Sequence, residues 1–104
     1  MKSLIFVGSS LDDLRDFPPE ARRVVGHELN LVQHDLEPSD WKPMPDVGLG
    51  VREVRVHVLG EWRVLYVAKF AEAVYVLHAF QKKRRQTARS DLELAARRYR
   101  TLRT

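Results

Sequence analysis

The chain has 104 residues, 44% hydrophobic and 31% charged, with a formal net charge of +4 and no cysteine. That length supports one packed core and excludes a second domain with its own cofactor, while the lack of cysteine excludes disulfides and thiolate metal sites. The charge is uneven: residues 82–104 hold nine of the eighteen Lys and Arg against two acids, a net of +7, whereas residues 1–81 hold nine against twelve, a net of −3. A basic end on a mildly acidic body points to a polyanionic partner, with a solvated basic tail as the plain alternative.

Residues 2–7 read as a short strand stopping at Gly8. Ser9 and Ser10 follow as N-cap candidates, with Asp12 and Asp13 in the first helical turn, where the dipole favours acids, and Leu11 and Leu14 on the apolar side. Pro18 and Pro19 interrupt this helix and suit the start of a second. There Ala21, Val24, Val25, Leu29 and Val32 recur at helical spacing. Gly26 weakens the second helix slightly and offers a close approach to a neighbour. The expectation is a core-forming helical hairpin. Residues 37–50 carry Pro38, Pro43, Pro45, Gly48 and Gly50, and read as a proline-stiffened loop anchored on the body by Trp41.

Three strands are expected next. Residues 51–59 alternate, with Val54, Val56 and Val58 on one side and Glu53, Arg55 and His57 on the other. Residues 62–69 form the second strand, and residues 73–80, apolar on both faces, the central third. The first two join in a tight hairpin around Leu59-Gly60-Glu61. A two-residue loop sets Arg63 among valines. A three-residue loop pairs Val58 with Trp62, Val56 with Val64 and Val54 with Tyr66, and brings His57 opposite Arg63 and Arg55 opposite Leu65. The register that buries the apolar set is expected, because a one-residue slip flips every side chain; it places Arg55, His57 and Arg63 on one face.

Residues 81–86 are too polar to be buried. Ser90-Asp91-Leu92-Glu93 has the form of a capping box. It opens a helix with Leu92, Ala95, Ala96, Tyr99 and Leu102 on its apolar face and Arg97, Arg98, Arg100 and Arg103 toward its end. The predicted order is β-α-α-β-β-β-α in a single α+β domain over residues 1–104. A small antiparallel-rich sheet packs on the N-terminal helical hairpin, with a C-terminal helix. The opening residues make too short an apolar run for a signal peptide, and no stretch approaches the ~20 apolar residues of a membrane span. A soluble, cytoplasmic protein without membrane partners is expected. The four histidines lack metal-ligand spacing, so neither metal nor cofactor is predicted.

This order, with Glu53-Val54-Arg55-Val56, Glu61-Trp62-Arg63-Val64-Leu65-Tyr66 and Leu77-His78-Ala79-Phe80-Gln81-Lys82-Lys83, resembles the RelE/HigB toxin superfamily, most closely its phage-derived branch. The similarity covers nearly the whole chain. It implies a metal-independent endoribonuclease that cuts mRNA in the ribosomal A site. It also implies neutralisation by an antitoxin, usually of helix-turn-helix type, in a toxin–antitoxin hetero-oligomer. By the same resemblance, Arg63 corresponds to the arginine that contacts the scissile phosphate, Arg55 to a basic catalytic or RNA-binding position, and Lys82 or Lys83 to a basic position at the mouth of the site. Several relatives carry a catalytic tyrosine or histidine after the last strand. Here that stretch reads Arg84-Arg85-Gln86-Thr87-Ala88-Arg89, which leaves the general base unassigned.

Cutting RNA without a metal requires alignment of the 2′-hydroxyl with phosphorus, stabilisation of the developing phosphate charge, and proton transfer. Arginine suits the second task because its planar fork grips two oxygens and stays charged. The candidate catalytic residues are therefore Arg63, Arg55 and His57, the last for its intrinsic pKa. The candidate RNA-binding residues are Lys82, Lys83, Arg84, Arg85, Arg97 and Arg98. Each has a structural alternative: Arg63 pairs with Glu53 or Glu61, His57 is an incidental strand histidine, and Tyr99 and Trp62 pack in the core rather than stack on bases. His78, in an apolar strand, is expected in the core, and His27 and His34 at the surface. Three functions remain in view: an mRNA-cleaving toxin, a ParE-like gyrase poison that needs no catalytic residues, and a non-enzymatic phage nucleic-acid-binding or adaptor protein.

Overall fold

The computed structural model describes residues 1–102; Arg103, expected near the helix end, lies outside them. The elements run β1 (Ser3–Phe6), α1 (Ser10–Arg15), α2 (Pro19–Gln33), β2 (Trp41–Pro43), β3 (Val51–Val56), β4 (Trp62–Val67), β5 (Ala73–Gln81) and α3 (Arg89–Thr101). The fold is α+β, as expected. Five strands form one sheet in the order β1-β5-β4-β3-β2, with β1 parallel to β5 and the other pairings antiparallel.

The two sheet faces bury different helices. One packs Val54, Val56, Val64, Tyr66, Val74 and Val76 against Ala21, Val25, Leu29 and Val32 of α2, the stripe read from the helical period. Phe17, in the α1–α2 connection, joins this core with its ring centroid 4.6 Å from that of Trp62. The other face packs Val51, Leu65, Val67 and Leu77 under Ala95, with Leu92, Ala96, Tyr99 and Leu102 against them. Trp62 and Tyr99 are thus packing residues. Tyr99 also locks its helix: its hydroxyl accepts from Lys69 Nζ at 2.8 Å and donates to Leu49 O at 2.9 Å. A Cβ on Gly48 would stand 2.6 Å from the Tyr99 ring, so that close approach requires glycine.

Several local expectations are corrected. The proline-rich stretch contains an edge strand, β2, which pairs Trp41 with Val54 and Pro43 with Arg52; Pro43 is tolerated at an edge, where no inner ladder bond is lost. Trp41 lies under the Arg52 guanidinium, 4.1 Å from its ring centroid. The β3–β4 connection is longer than a tight hairpin, because β3 ends at Val56 and β4 begins at Trp62. The register is Val56↔Trp62, Arg55↔Arg63, Val54↔Val64 and Glu53↔Leu65. It differs from the expected register by two residues, so every side chain keeps its face, but Arg55 meets Arg63 rather than Leu65 and His57 falls beyond the strand.

The capping box does not form: Ala88 is the N-cap of α3, without a side-chain cap, so Ser90 lies inside the helix; Asp91, between the two expected box residues, is engaged by His78. Ser10 is likewise no cap, its buried hydroxyl donating to Val76 O at 3.1 Å. Gly26 is exposed with no neighbour within 4 Å of a Cβ built on it, so it serves no close packing.

Candidate active site and nucleic-acid interface

On the face covered by α3, the register lines up rows of side chains across β3, β4 and β5. Arg55, Arg63 and Phe80 form one row, and Glu53, Leu65 and His78 the next. Helix α3 covers the apolar end of this face and leaves the arginine row beside the β5–α3 connection. Lys82 N donates to Glu61 O at 2.7 Å, so the basic segment starts directly against the β3–β4 turn.

The arginines do not stand free. Glu53 has no exposed surface, and its Oε1 lies 3.3 Å from Arg55 Nε and 3.8 Å from Arg63 Nε. A buried charge is retained only with partners, and these two cations are what hold Glu53 in the sheet. Arg63 is itself 5% exposed. Its Nη1 donates to Trp62 O at 3.0 Å and its Nη2 to Glu61 Oε1 at 3.1 Å. Both ion pairs considered for Arg63 from the sequence are therefore made, one inward to Glu53 and one outward to Glu61.

The outward pair leads to His57. Its Nδ1 lies 2.8 Å from Glu61 Oε1 and its Nε2 2.6 Å from Asp40 Oδ2. Hydrogen bonds to Asp40 first and Glu61 second raise the imidazole pKa above its ordinary value. Hydrogen bonds from His57 and then Arg63 hold the Glu61 carboxyl below its ordinary value. His57 is thus favoured as the imidazolium and Glu61 as the carboxylate. Asp40 is set from behind: Arg55 N donates to Asp40 O at 2.9 Å, and buried Glu28 accepts from both the amide and the hydroxyl of the neighbouring Ser39.

Arg55, Arg63 and His57 therefore belong to one network, in which Asp40, Glu61 and Glu53 alternate with them. The positive excess lies at the rim. Lys82 is half-buried and Lys83, Arg84 and Arg85 are exposed, and none pairs with a described carboxylate. The two α3 candidates separate. Arg97 is exposed, but Arg98 is half-buried and donates to Leu77 O at 2.9 Å and Ser9 Oγ at 2.9 Å. Leu77 sits where the β4–β5 register shifts, and such a bulge leaves backbone groups needing partners. Gly8, at φ +59°, makes room for this guanidinium, which would stand 2.6 Å from a Cβ there. Arg98 is a structural tie.

The acids of the network were missed as site residues. Their signal was present in the sequence: Glu53-Val54-Arg55 and Glu61-Trp62-Arg63 repeat an acid two residues before an arginine, the spacing that puts both on one strand face. The expected histidine positions hold, with His78 6% exposed and His27 and His34 at the surface. Among the described residues no group of three or more His, Asp or Glu is arranged to hold a metal ion, and no helix is long and apolar enough to cross a membrane.

The chain is thus a mixed five-stranded sheet with helices on both faces and a charged network beside the β5–α3 connection. Residues 12–100 match the family described as Phage derived protein Gp49-like (DUF891), and the chain belongs to that phage-derived, RelE-like toxin-type family. No curated protein matches the sequence.

Proposed function

We propose that this chain is the toxin of a toxin–antitoxin pair and arrests translation as a metal-independent endoribonuclease acting on ribosome-bound message. The observation that carries this reading is the cross-strand pair Arg55–Arg63, held on one buried carboxylate beside the unpaired Lys82–Arg85 segment. Fixed guanidinium groups next to a largely exposed cationic rim suit an RNA strand that is gripped at the rim and strained at one phosphate.

In this proposal the scissile phosphate replaces Glu61 as the outward partner of Arg63 Nη2. The 2′-oxygen bonds to phosphorus and the bond to O5′ breaks, leaving a 2′,3′-cyclic phosphate and a 5′-hydroxyl. Glu61, released from Arg63 and still bonded to His57, takes the 2′-hydroxyl proton. His57, favoured as the imidazolium, returns a proton to O5′. Arg63 stabilises the developing charge and Arg55 holds the adjacent phosphate. The antitoxin, of helix-turn-helix type, covers this face in a hetero-oligomer, and the complex resides in the cytoplasm with the ribosome.

The test is controlled expression in cells, followed by mapping of message ends. Cleavage within translated frames before any change in DNA supercoiling supports the proposal. Growth arrest with intact messages and gyrase-linked DNA breaks contradicts it.

A further inference from the structure

Beside the arginine row, between the end of β5 and the start of α3, lies a cleft of about 250 Å³. Phe80, one of its walls, is the cross-strand partner of Arg63. Lys82, Lys83, Arg84 and Gln86 line it, and so does an acid, Asp91. A site built for phosphate alone gains nothing from a carboxylate, which repels the ligand. Nor does Asp91 neutralise the cations around it: its one ion pair among the described residues is with His78, whose Nε2 is 2.7 Å from Asp91 Oδ1.

His78 is buried, and its ring stacks on Phe80 with centroids 4.9 Å apart. The strand thus fixes the carboxylate through a rigid, packed imidazole. Oδ1 is occupied, while Oδ2 makes no hydrogen bond among the described residues. A positioned acceptor, an aromatic wall and a cationic rim in a cleft of this size match a nucleotide better than a bare anion.

We infer that this cleft takes the base next to the scissile phosphate, and that Asp91 Oδ2 selects a base with an exocyclic amino group over uracil. The inference rests on the proposal that the chain cuts RNA. Guanine fits best, because its Watson–Crick edge sets two donors side by side. Adenine and cytosine each present one amino group. Uracil presents N3–H only between two carbonyl oxygens, which repel a carboxylate. Asp91 is then a specificity-determining residue and His78 a positioning residue acting through it.

The test maps cleavage ends in cells expressing the full-length chain or Asp91→Asn. The asparagine amide oxygen still accepts from His78, so the helix start is kept, and a melting curve verifies this. Wild-type ends should show uracil at the pocket position under-represented by roughly tenfold, the worth of one charged hydrogen bond. Asp91→Asn should cut with that bias removed, since its amide donates to a uracil carbonyl. A variant that cuts with the wild-type base distribution overturns the inference while leaving the nuclease proposal standing. No cleavage by the wild type overturns both. A second measurement needs no variant: amide shifts at Ser90 and Asp91 on adding 5′-mononucleotides to the wild-type chain. Larger shifts with guanosine than uridine monophosphate support the assignment, and equal or absent shifts overturn it.

Discussion

Arg55 and Arg63 face each other across β3 and β4, and their Nε atoms lie 3.3 and 3.8 Å from the same oxygen of Glu53. Like charges opposite one another on a sheet repel, and here the buried Glu53 carboxylate offsets both, with Glu61 as a second partner of Arg63. Glu53→Gln keeps the shape and removes the charge. It should lower unfolding stability by about 3 kcal/mol, the usual cost of leaving a buried ion without its partner. Urea denaturation measures this; a change under ~0.5 kcal/mol, typical of a surface site, would show that Glu53 does not hold the pair.

The two α3 arginines should separate in opposite assays. Arg97→Ala should leave the melting temperature unchanged and reduce the salt dependence of RNA binding by about one phosphate contact, a slope change near 0.7 for a single strand. Arg98→Ala strips the hydrogen bond from Leu77 O and should cost about 1–3 kcal/mol of stability, with the salt slope unaltered. Binding titrations at several salt concentrations, paired with melting curves, distinguish them.

The Asp40–His57–Glu61 clasp makes a pH prediction. A folded-state histidine pKa raised above 6.5 contributes stability that is fully present below 6.5 and lost as pH rises through the raised value. A folded-state glutamate pKa below 4.5 contributes stability present above 4.5 and lost as pH falls through the lowered value. The clasp is therefore complete between about pH 4.5 and 6.5. The melting-temperature difference between wild type and His57→Ala should be largest in that window and shrink on both sides. A difference independent of pH would mean His57 acts by packing alone.

How far the sequence reaches is clearest in β3 and β4. Alternation assigned Val54, Val56 and Val64 to one face and Arg55 and Arg63 to the other, because the strand period is local. Register is a pairing of distant residues, and a two-residue slide preserves every face, so the Arg55–Arg63 opposition was invisible. Glu53 read as an ordinary outward acid, yet it has no exposed surface and lies against Arg55 and Arg63. Ser90 and Glu93 carried a capping signature, yet the helix begins at Arg89 with Ala88 as its N-cap, and the contact of His78 with Asp91, thirteen residues on, left no local signal. Edge strand β2 was hidden by prolines that exclude a central strand but not an edge. The excess charge of residues 82–104 raised the expectation of a polyanion-binding surface, but gave no sign that Arg98 turns inward.

The most direct test of the account is Arg63→Ala, expressed beside the wild type with message ends mapped after induction. The inner pair of Glu53 with Arg55 remains, so a folded variant that still binds its antitoxin is expected, with growth arrest and message cleavage abolished. An Arg63→Ala variant that arrests growth as fast as the wild type, or cuts messages at the same positions, would contradict the proposed site.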